Sequence, residues 1–372
     1  MNVLFIPTWY SAHDAAVMQA GVFHYEQAMA LKKYCDVVLY YPFDRTLNCP
    51  FLKAEERGLV TYRRKMRSNV AARFADYVGD FRRIQKETKI DIIHAHVGSE
   101  AGLIGVVLGK LFHIPVVITE HNPIELSNLG SRKSWLKNQL AYKNSDANIC
   151  VSGDSMERLQ KIFPQCRFSV IYNGIIDPRS AEYGSVCYRR EGVTNCCIVA
   201  AFYSKEIKGY QYLLPAIRDM VQSGEKILLH ICGGGDYLDY YKQMAKELGI
   251  ADNCIFYGQC DREKVYSILS QMDFSISASV FECSGVSVQE AMLLGKPLVV
   301  TRSGGANSLV TEETAIVVDR ESVPALVEGI SGMIDRLSSF DSEKIRDYAY
   351  HHFEIDQVSR RYMELYRKLL KK

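Results

Sequence analysis

Phe274-Ser275-Ile276-Ser277 opens a stretch that runs through Val280-Phe281-Glu282-Cys283-Ser284-Gly285-Val286-Ser287-Val288-Gln289-Glu290-Ala291-Met292 to Gly295-Lys296-Pro297-Leu298-Val299-Val300-Thr301. It reads as strand, loop, helix and strand. The apolar runs at either end fit short parallel strands buried on both faces. Val288, Ala291, Met292 and Leu293 make the apolar stripe of a helix, with Gly295 as its stop and Pro297 beyond. Glu282 stands in the loop, and Glu290 follows eight positions later in the second turn of that helix. The amides of Ser284, Gly285, Val286 and Ser287 fall where the helix begins. Unpaired N–H groups at the positive end of a helix dipole suit a phosphate. An anion site between two hydrogen-bonding carboxylates suits a sugar nucleotide, with diphosphate on the amides and hydroxyls on the glutamates. The spacing alone favours a plainer reading, a surface helix with two unrelated acids, so the rest of the chain has to decide.

At 372 residues the chain is too long for one ordinary core, which predicts two domains of about 150–200 residues each. Hydrophobic residues make up 48% and charged residues 24%, the composition of a soluble globular protein. The net charge of +2 is unevenly spread: through Val170 there are 22 Lys and Arg against 16 Asp and Glu, and afterwards 23 against 27. A basic first half hints at an anionic partner or a membrane surface. Much of the excess lies in Arg63-Arg64-Lys65-Met66-Arg67 and Arg82-Arg83, although a solvated helix face is the commoner explanation of such runs. The eleven cysteines have no C-x-x-C spacing, and Cys150, Cys196, Cys197 and Cys254 sit in apolar runs as small hydrophobes. That points to a reducing compartment. Met1 to Ile6 is too short for a signal peptide, and no stretch reaches the roughly 18–20 apolar residues of a membrane span. The expectation is a cytoplasmic protein, at most peripheral to a membrane.

Strands and helices alternate in two series. The first runs Val3 to Ile6, a helix over Val22 to Leu31, Val37 to Tyr41, Asp91-Ile92-Ile93-His94-Ala95-His96, a helix over Ala101 to Leu111, Val116 to Thr119, and Ala147 to Val151 before a helix over Ser155 to Phe163. It ends at Ser169-Val170-Ile171-Tyr172-Asn173-Gly174, where Asn-Gly signals a turn. The second runs through Cys196 to Ala201, Lys226 to Cys232, Cys254 to Tyr257, Phe274 to Ser277, Pro297 to Thr301 and Ala315 to Val318. A long amphipathic helix, about Phe353 to Leu370, closes the chain. Two doubly wound α/β domains follow, facing each other across a cleft with a hinge near Asn173-Gly174. Ligands of such sheets bind at the carboxyl ends of the strands.

The remaining motifs fall at those ends. Gly21 opens the first helix after a loop beginning Pro7-Thr8-Trp9-Tyr10, and glycine permits close approach of backbone to ligand. His94 and His96 share one side of a strand, yet no further His, Asp or Cys spacing completes a metal site. His121, in Thr-Glu-His-Asn-Pro, is placed to hydrogen-bond a ligand hydroxyl or to be a satisfied structural histidine. Lys208, with Lys205 as a second candidate, stands between strand and helix where a diphosphate cation belongs, although exposed lysine is the plainer reading. Gly233-Gly234-Gly235 fails as a dinucleotide fingerprint because position 238 is Leu.

With Gly21, His121, Lys208 and Glu282-x7-Glu290 in this order, the chain resembles a retaining glycosyltransferase of the GT-B fold, family 4. The resemblance covers nearly the whole length. Its strongest block is Phe274 to Gly305, and Val170-Ile171-Tyr172-Asn173-Gly174, Leu248-Gly249-Ile250 and Asp91 to His96 fit other recurring segments. It implies an N-terminal Rossmann-like acceptor domain over 1–172, a nucleotide-sugar domain over 173–352, and a terminal helix over 353–372 packing back on the first. It implies that Glu290 holds the ribose hydroxyls and Glu282 the donor sugar. Ser284, Gly285 and Val286 would bind sugar and diphosphate through their amides, and Lys208 would neutralise the leaving diphosphate. The Gly21 loop would close on the phosphates, and His121 would contact the sugar near its C6 hydroxyl. Such enzymes need no metal or other cofactor and retain the anomeric configuration. The donor would be a UDP- or GDP-sugar and the acceptor a saccharide or lipid-linked saccharide, in polysaccharide or glycan synthesis; nucleic acid has no place in the scheme. One position departs from the family: where it usually has Arg, five residues before the lysine, this chain has Tyr203, which cannot supply a bidentate charge.

Other readings stay open. A nucleotide-sugar epimerase, a sugar phosphorylase or a binding-only relative would share this architecture. A two-domain solute binder would share the cleft but should carry an export signal. The basic residues Arg63, Arg64, Lys65, Arg67, Arg73, Arg82 and Arg83 suggest an anionic membrane surface as a further partner.

Overall fold

The computed structural model of the chain describes residues 1–10, 22–122, 129–180 and 186–371. The chain divides into two compact units, Met1–Gly174 with Ile355–Lys372, and Ile175–Glu354. The first unit runs β1 (Asn2–Ile6), α1 (Val22–Leu31), β2 (Asp36–Asp44), β3 (Phe51–Glu56), β4 (Leu59–Lys65), α2 (Val70–Glu87), β5 (Ile92–His96), α3 (Glu100–Phe112), β6 (Val116–Glu120), α4 (Arg132–Asn144), β7 (Ala147–Cys150), α5 (Gly153–Ile162) and β8 (Phe168–Val170). Its sheet has the order β3-β4-β2-β1-β5-β6-β7-β8. All neighbours are parallel except β3 and β4. Val3 to Ile6, Ile92, Ile93, Val117 and Ile118 are wholly buried, as strands covered on both faces must be.

The edge hairpin is a correction to the sequence reading, which places no strand between Tyr41 and Asp91. Arg57 and Gly58 both take positive φ, 53° and 79°, in a two-residue turn that follows the strand twist. Arg63 and Arg64 therefore lie on β4 and are only 6% exposed. Arg63 pairs with Asp44 and Glu56, and Arg64 with Asp80 and Asp76, while Arg67 pairs with Asp76 at 2.9 Å. The basic segment is thus partly an internal ion-pair network, and only Lys65, Arg67, Arg82 and Arg83 of its members are exposed.

The second unit runs β9 (Thr194–Val199), α6 (Tyr210–Gln222), β10 (Ile227–Cys232), α7 (Leu238–Glu247), β11 (Cys254–Gly258), α8 (Arg262–Ser270), β12 (Phe274–Ser277), α9 (Val286–Leu293), β13 (Leu298–Thr301), β14 (Ala315–Val318), α10 (Val323–Arg336) and α11 (Ser342–Phe353). Its all-parallel sheet has the order β11-β10-β9-β12-β13-β14. Phe202, Tyr210, Leu213, Ile217, Leu229 and Phe274 centre its core.

The final helix, α12 (Ile355–Leu370), belongs to the first unit. Val358, Tyr362, Met363, Tyr366 and Leu369 form one face of it and pack with Val3, Phe5 and Leu39 of the sheet. Tyr366 hydroxyl lies 2.6 Å from His94 Nδ1, and Tyr362 hydroxyl 3.1 Å from Thr119 Oγ1. All eleven cysteines are unpaired. No helix among the described residues is long and apolar enough to cross a membrane.

Candidate functional site

In the second unit the strand order reverses at β9, with β10 and β11 on one side and β12 to β14 on the other. Ligands of open parallel sheets bind beyond the strand ends at such a reversal. The loop after β9 carries Lys208 and the loop after β12 carries Glu282. Val280 N–H donates to Ile207 carbonyl at 2.7 Å and ties the two loops together. Gly209 lets them touch: its φ is +70°, and a Cβ there would stand 1.8 Å from Ala278 carbonyl oxygen. Lys208 Nζ pairs with Glu282 Oε1, which also accepts from Ser279 Oγ at 3.0 Å. Glu282 N–H donates to Ser303 carbonyl at 2.9 Å, and Gly305 N–H to Glu282 carbonyl at 2.8 Å. Gly304-Gly305, the loop after β13, thereby holds the carboxylate's backbone.

The chain then turns into α9 through Gly285, at φ +88°. No side chain among the described residues caps this helix, and its first turn carries no acid, so the leading N–H groups of Val286 and Ser287 keep their affinity for an anion. Ser284 Oγ is buried without a hydrogen-bond partner among the described residues, which costs about 1–3 kcal/mol unless a ligand supplies one. Glu290 is 7% exposed; its Oε1 accepts from Tyr266 hydroxyl at 3.0 Å and lies 3.9 Å from Arg262 Nε. Both partners come from α8. The sequence reading missed them because Tyr266 sits among Val265, Ile268 and Leu269 in what scans as an ordinary core stripe.

Lys205 is set apart from this cluster, with Nζ 4.3 Å from the Tyr240 ring centroid. Tyr203 is 62% exposed. A cavity of about 420 Å³ lies against the same two loops, between Lys205, Ile207, Gln211, Tyr241, Val280 and Phe281.

In the first unit, β1 is the strand at which the order reverses. Gly21 lies outside the described residues. His121 directly follows β6, and its Nε2 stands 3.1 Å from His96 Nδ1. His24, on α1, closes the group: its ring centroid is 4.4 Å from that of His96 and 5.0 Å from that of His121. His94 stacks on His96 at 4.4 Å but spends its nitrogens on Tyr366 and Thr119. Val97, just after His96, holds φ at +78°, a strain of order 1–3 kcal/mol for a β-branched residue. Burial pulls the protonation of His94 and His121 down to about 3, with Asn173 opposing it at His121, and holds His24 and His96 well below the ordinary imidazole value. All four are neutral at physiological pH. Sequence spacing offered no third ligand for His94 and His96; the fold supplies His24 and His121 to His96 instead. The three place one ring nitrogen each within 4.8 Å of one another. Buried Glu120 accepts from Gly98 N–H, Asn122 N–H and Tyr142 hydroxyl and braces the strand end beneath His121.

Two family models match the chain: Glycosyltransferase Family 4 over residues 20–177 and Glycosyl transferases group 1 over residues 194–351. Among curated relatives, the phosphatidylinositol N-acetylglucosaminyltransferase GPI3 subunit of Saccharomyces cerevisiae is 25% identical over 77% of this chain and 65% of its own length. The alpha-monoglucosyldiacylglycerol synthase of Streptococcus pneumoniae is 24% identical over 73% of this chain and 66% of its own. The chain thus spans about two thirds of the length of these relatives. Among solved structures, Anabaena Alr3699/HepE in complex with UDP superposes with a TM-score of 0.76, at 18% identity, over 99% of this chain and all of the other. That likeness fixes the fold as GT-B.

Proposed function

We propose, since the chain belongs to the group 1, family 4 glycosyltransferases, that it moves a sugar from a nucleoside-diphosphate sugar to a saccharide or lipid-linked saccharide, with retention and without a required metal. The observation that carries the reading is the meeting of Lys208 and Glu282 beside the start of α9, which no described side chain caps. Breaking the bond to the diphosphate develops negative charge on the β-phosphate and positive charge on the sugar ring. Helix amides and Lys208 stabilise the first, as preorganised dipoles and charges do. Glu282, held by Ser279 and by its backbone bridge to the Gly304 loop, orients the sugar. In the absence of donor it is Lys208's counter-charge; an arriving diphosphate takes over that ion pair. Glu290 binds the ribose hydroxyls, with Tyr266 fixing its carboxylate. Retention follows from front-face attack, the leaving phosphate taking the acceptor proton. The first unit receives the acceptor.

The lipids in the names of the yeast and streptococcal relatives, phosphatidylinositol and a glucosyldiacylglycerol, support a lipid-linked acceptor. The basic segment supports it less, since Arg63 and Arg64 are internally paired. A binding-only relative is the second reading. Tyr203 favours it: an exposed phenol stands where a second phosphate cation is expected, and Lys205 leans on Tyr240 instead.

A panel of UDP-, GDP- and ADP-sugars screened by thermal shift tests the donor site, since a ligand at 100 times its Kd adds about 2.7 kcal/mol to native stability. Productive donors then go to transfer assays, with NMR of the product's anomeric proton. No shift with any nucleotide sugar overturns the reading. Turnover without acceptor identifies an epimerase, and binding without turnover identifies the binding-only relative.

A further inference from the structure

His24, His96 and His121 come from three elements, α1, the end of β5 and the residue after β6, and converge at one point in the first unit. Between them the structure holds one hydrogen bond, His96 Nδ1 to His121 Nε2 at 3.1 Å. Both ring nitrogens of His24, and Nε2 of His96, are buried without a partner among the described residues. Buried polar atoms are almost always satisfied, so several orphaned imidazole nitrogens at one spot point to an occupant. The spacing says what kind. Two imidazoles on a tetrahedral zinc at about 2.0–2.1 Å stand roughly 3.3 Å apart, close to the observed 3.1 Å. The third nitrogen lies within 4.8 Å of the others and has to come nearer by up to about 1.5 Å to share the ion. Phe5 packs on His96 with centroids 4.7 Å apart, and Phe23 on His24 at 4.0 Å and on His121 at 4.8 Å, an apolar wall around the nitrogens.

We propose that His24, His96 and His121 form a three-histidine site for a borderline divalent ion of the zinc class. Imidazole suits zinc, cobalt, nickel and copper, whereas magnesium and calcium demand oxygen ligands that this triad lacks. Three protein ligands leave a fourth position open to water or a ligand hydroxyl. His94 is not a ligand; Thr119 and Tyr366 take both its ring nitrogens and hold the ring where it stacks on His96. The site needs nothing from the second unit and does not depend on the donor chemistry proposed above. Because it claims His121, metal there competes with any sugar contact by that residue and is no requirement for transfer.

The full-length chain, stripped with chelator and dialysed, is titrated with Zn²⁺ against a chromophoric chelator, and separately with Co²⁺ by visible absorption. One equivalent of Zn²⁺ per chain is expected, with a tetrahedral Co²⁺ spectrum free of thiolate charge-transfer bands, and no uptake of Mg²⁺. His24→Phe and His96→Gln should each weaken Zn²⁺ binding at least about tenfold, as even outer-sphere changes do at metal sites. Far-ultraviolet circular dichroism checks that each variant is folded, and X-ray absorption on the wild-type zinc form reads the ligands if neither is. Absence of stoichiometric uptake, thiolate bands, a sulfur-containing coordination shell, or unchanged affinity in a folded variant overturns the proposal.

Discussion

Gly209→Ala tests whether the Lys208 and Glu282 loops form one rigid platform. The new Cβ would stand 1.8 Å from Ala278 carbonyl oxygen, so the two loops must part by about 1.2 Å to reach the 3.0 Å of the closest tolerated contacts. The left-handed backbone at φ +70° adds about 1–2 kcal/mol for any residue with a Cβ. Parting the loops strains the Val280 to Ile207 hydrogen bond at 2.7 Å, worth about 1 kcal/mol net. Together these give about 2–3 kcal/mol, or a fall of about 4–12 °C in the melting temperature of a domain of this size. The chemical effect is larger, because a shift of about 1 Å in a positioning group costs roughly 100-fold in rate. Gly192→Ala is the control: its φ is +72°, but a Cβ there meets no described atom within 4 Å. It should cost only the backbone preference and leave transfer unchanged. Calorimetric melting and kcat/KM of both variants decide the matter. If Gly209→Ala matches Gly192→Ala in both, the loops are not coupled through this contact.

Glu290→Ala should weaken calorimetric binding of the nucleoside diphosphate alone by about 10-fold or more, the worth of a hydrogen bond to a charged group; Tyr266→Phe should do so less, and unchanged affinity for Glu290→Ala sinks the ribose assignment. Acid should destabilise the first unit: unfolded histidines take up protons near pH 6.5 that buried His24, His94, His96 and His121 refuse. Stability is therefore full above pH 6.5 and is lost as pH falls toward about 3 for His94 and His121, by at most about 1.4 kcal/mol per pH unit per histidine. Hydrogen exchange of each unit in chelator at pH 7.5 and 5.5 reads this, and equal protection at both refutes it. Transfer should persist in EDTA, since Lys208 and amides meet the diphosphate charge; loss of activity restored by magnesium or manganese would contradict that. Sedimentation with anionic vesicles should be weak and salt-sensitive, at about 1 kcal/mol for each engaged basic residue, because Arg63 and Arg64 are unavailable; equal, negligible binding to neutral vesicles as well would leave the acceptor a soluble sugar.

What the sequence displayed and what it hid follow one physical division. The interior strands of both sheets are buried on both faces and mostly apolar, so Val3 to Ile6, Ile92 to Ala95 and Leu298 to Thr301 announce themselves, and the loops behind such strands carry Lys208 and Glu282. The outer hairpin alternates instead. Lys53, Glu55 and Glu56 on β3 and Arg63 and Arg64 on β4 look like solvated charge. The burial of the two arginines depends on Asp44 and Asp80, carboxylates 19 and 16 residues away along the chain. No local window contains both members of such a pair. The histidine triad is hidden for the same reason. His96 and His121 become neighbours only through the β5–β6 register that sets His96 beside Thr119, and His24 joins them only when α1 packs on the sheet. Tyr266 meets Glu290 only because α8 and α9 pack together. Charges and ligands whose partners lie one strand or one helix away are therefore written in the topology. The family likeness could name Glu290 and His121, but it could not say that Tyr266 holds the one or that His24 and His96 surround the other.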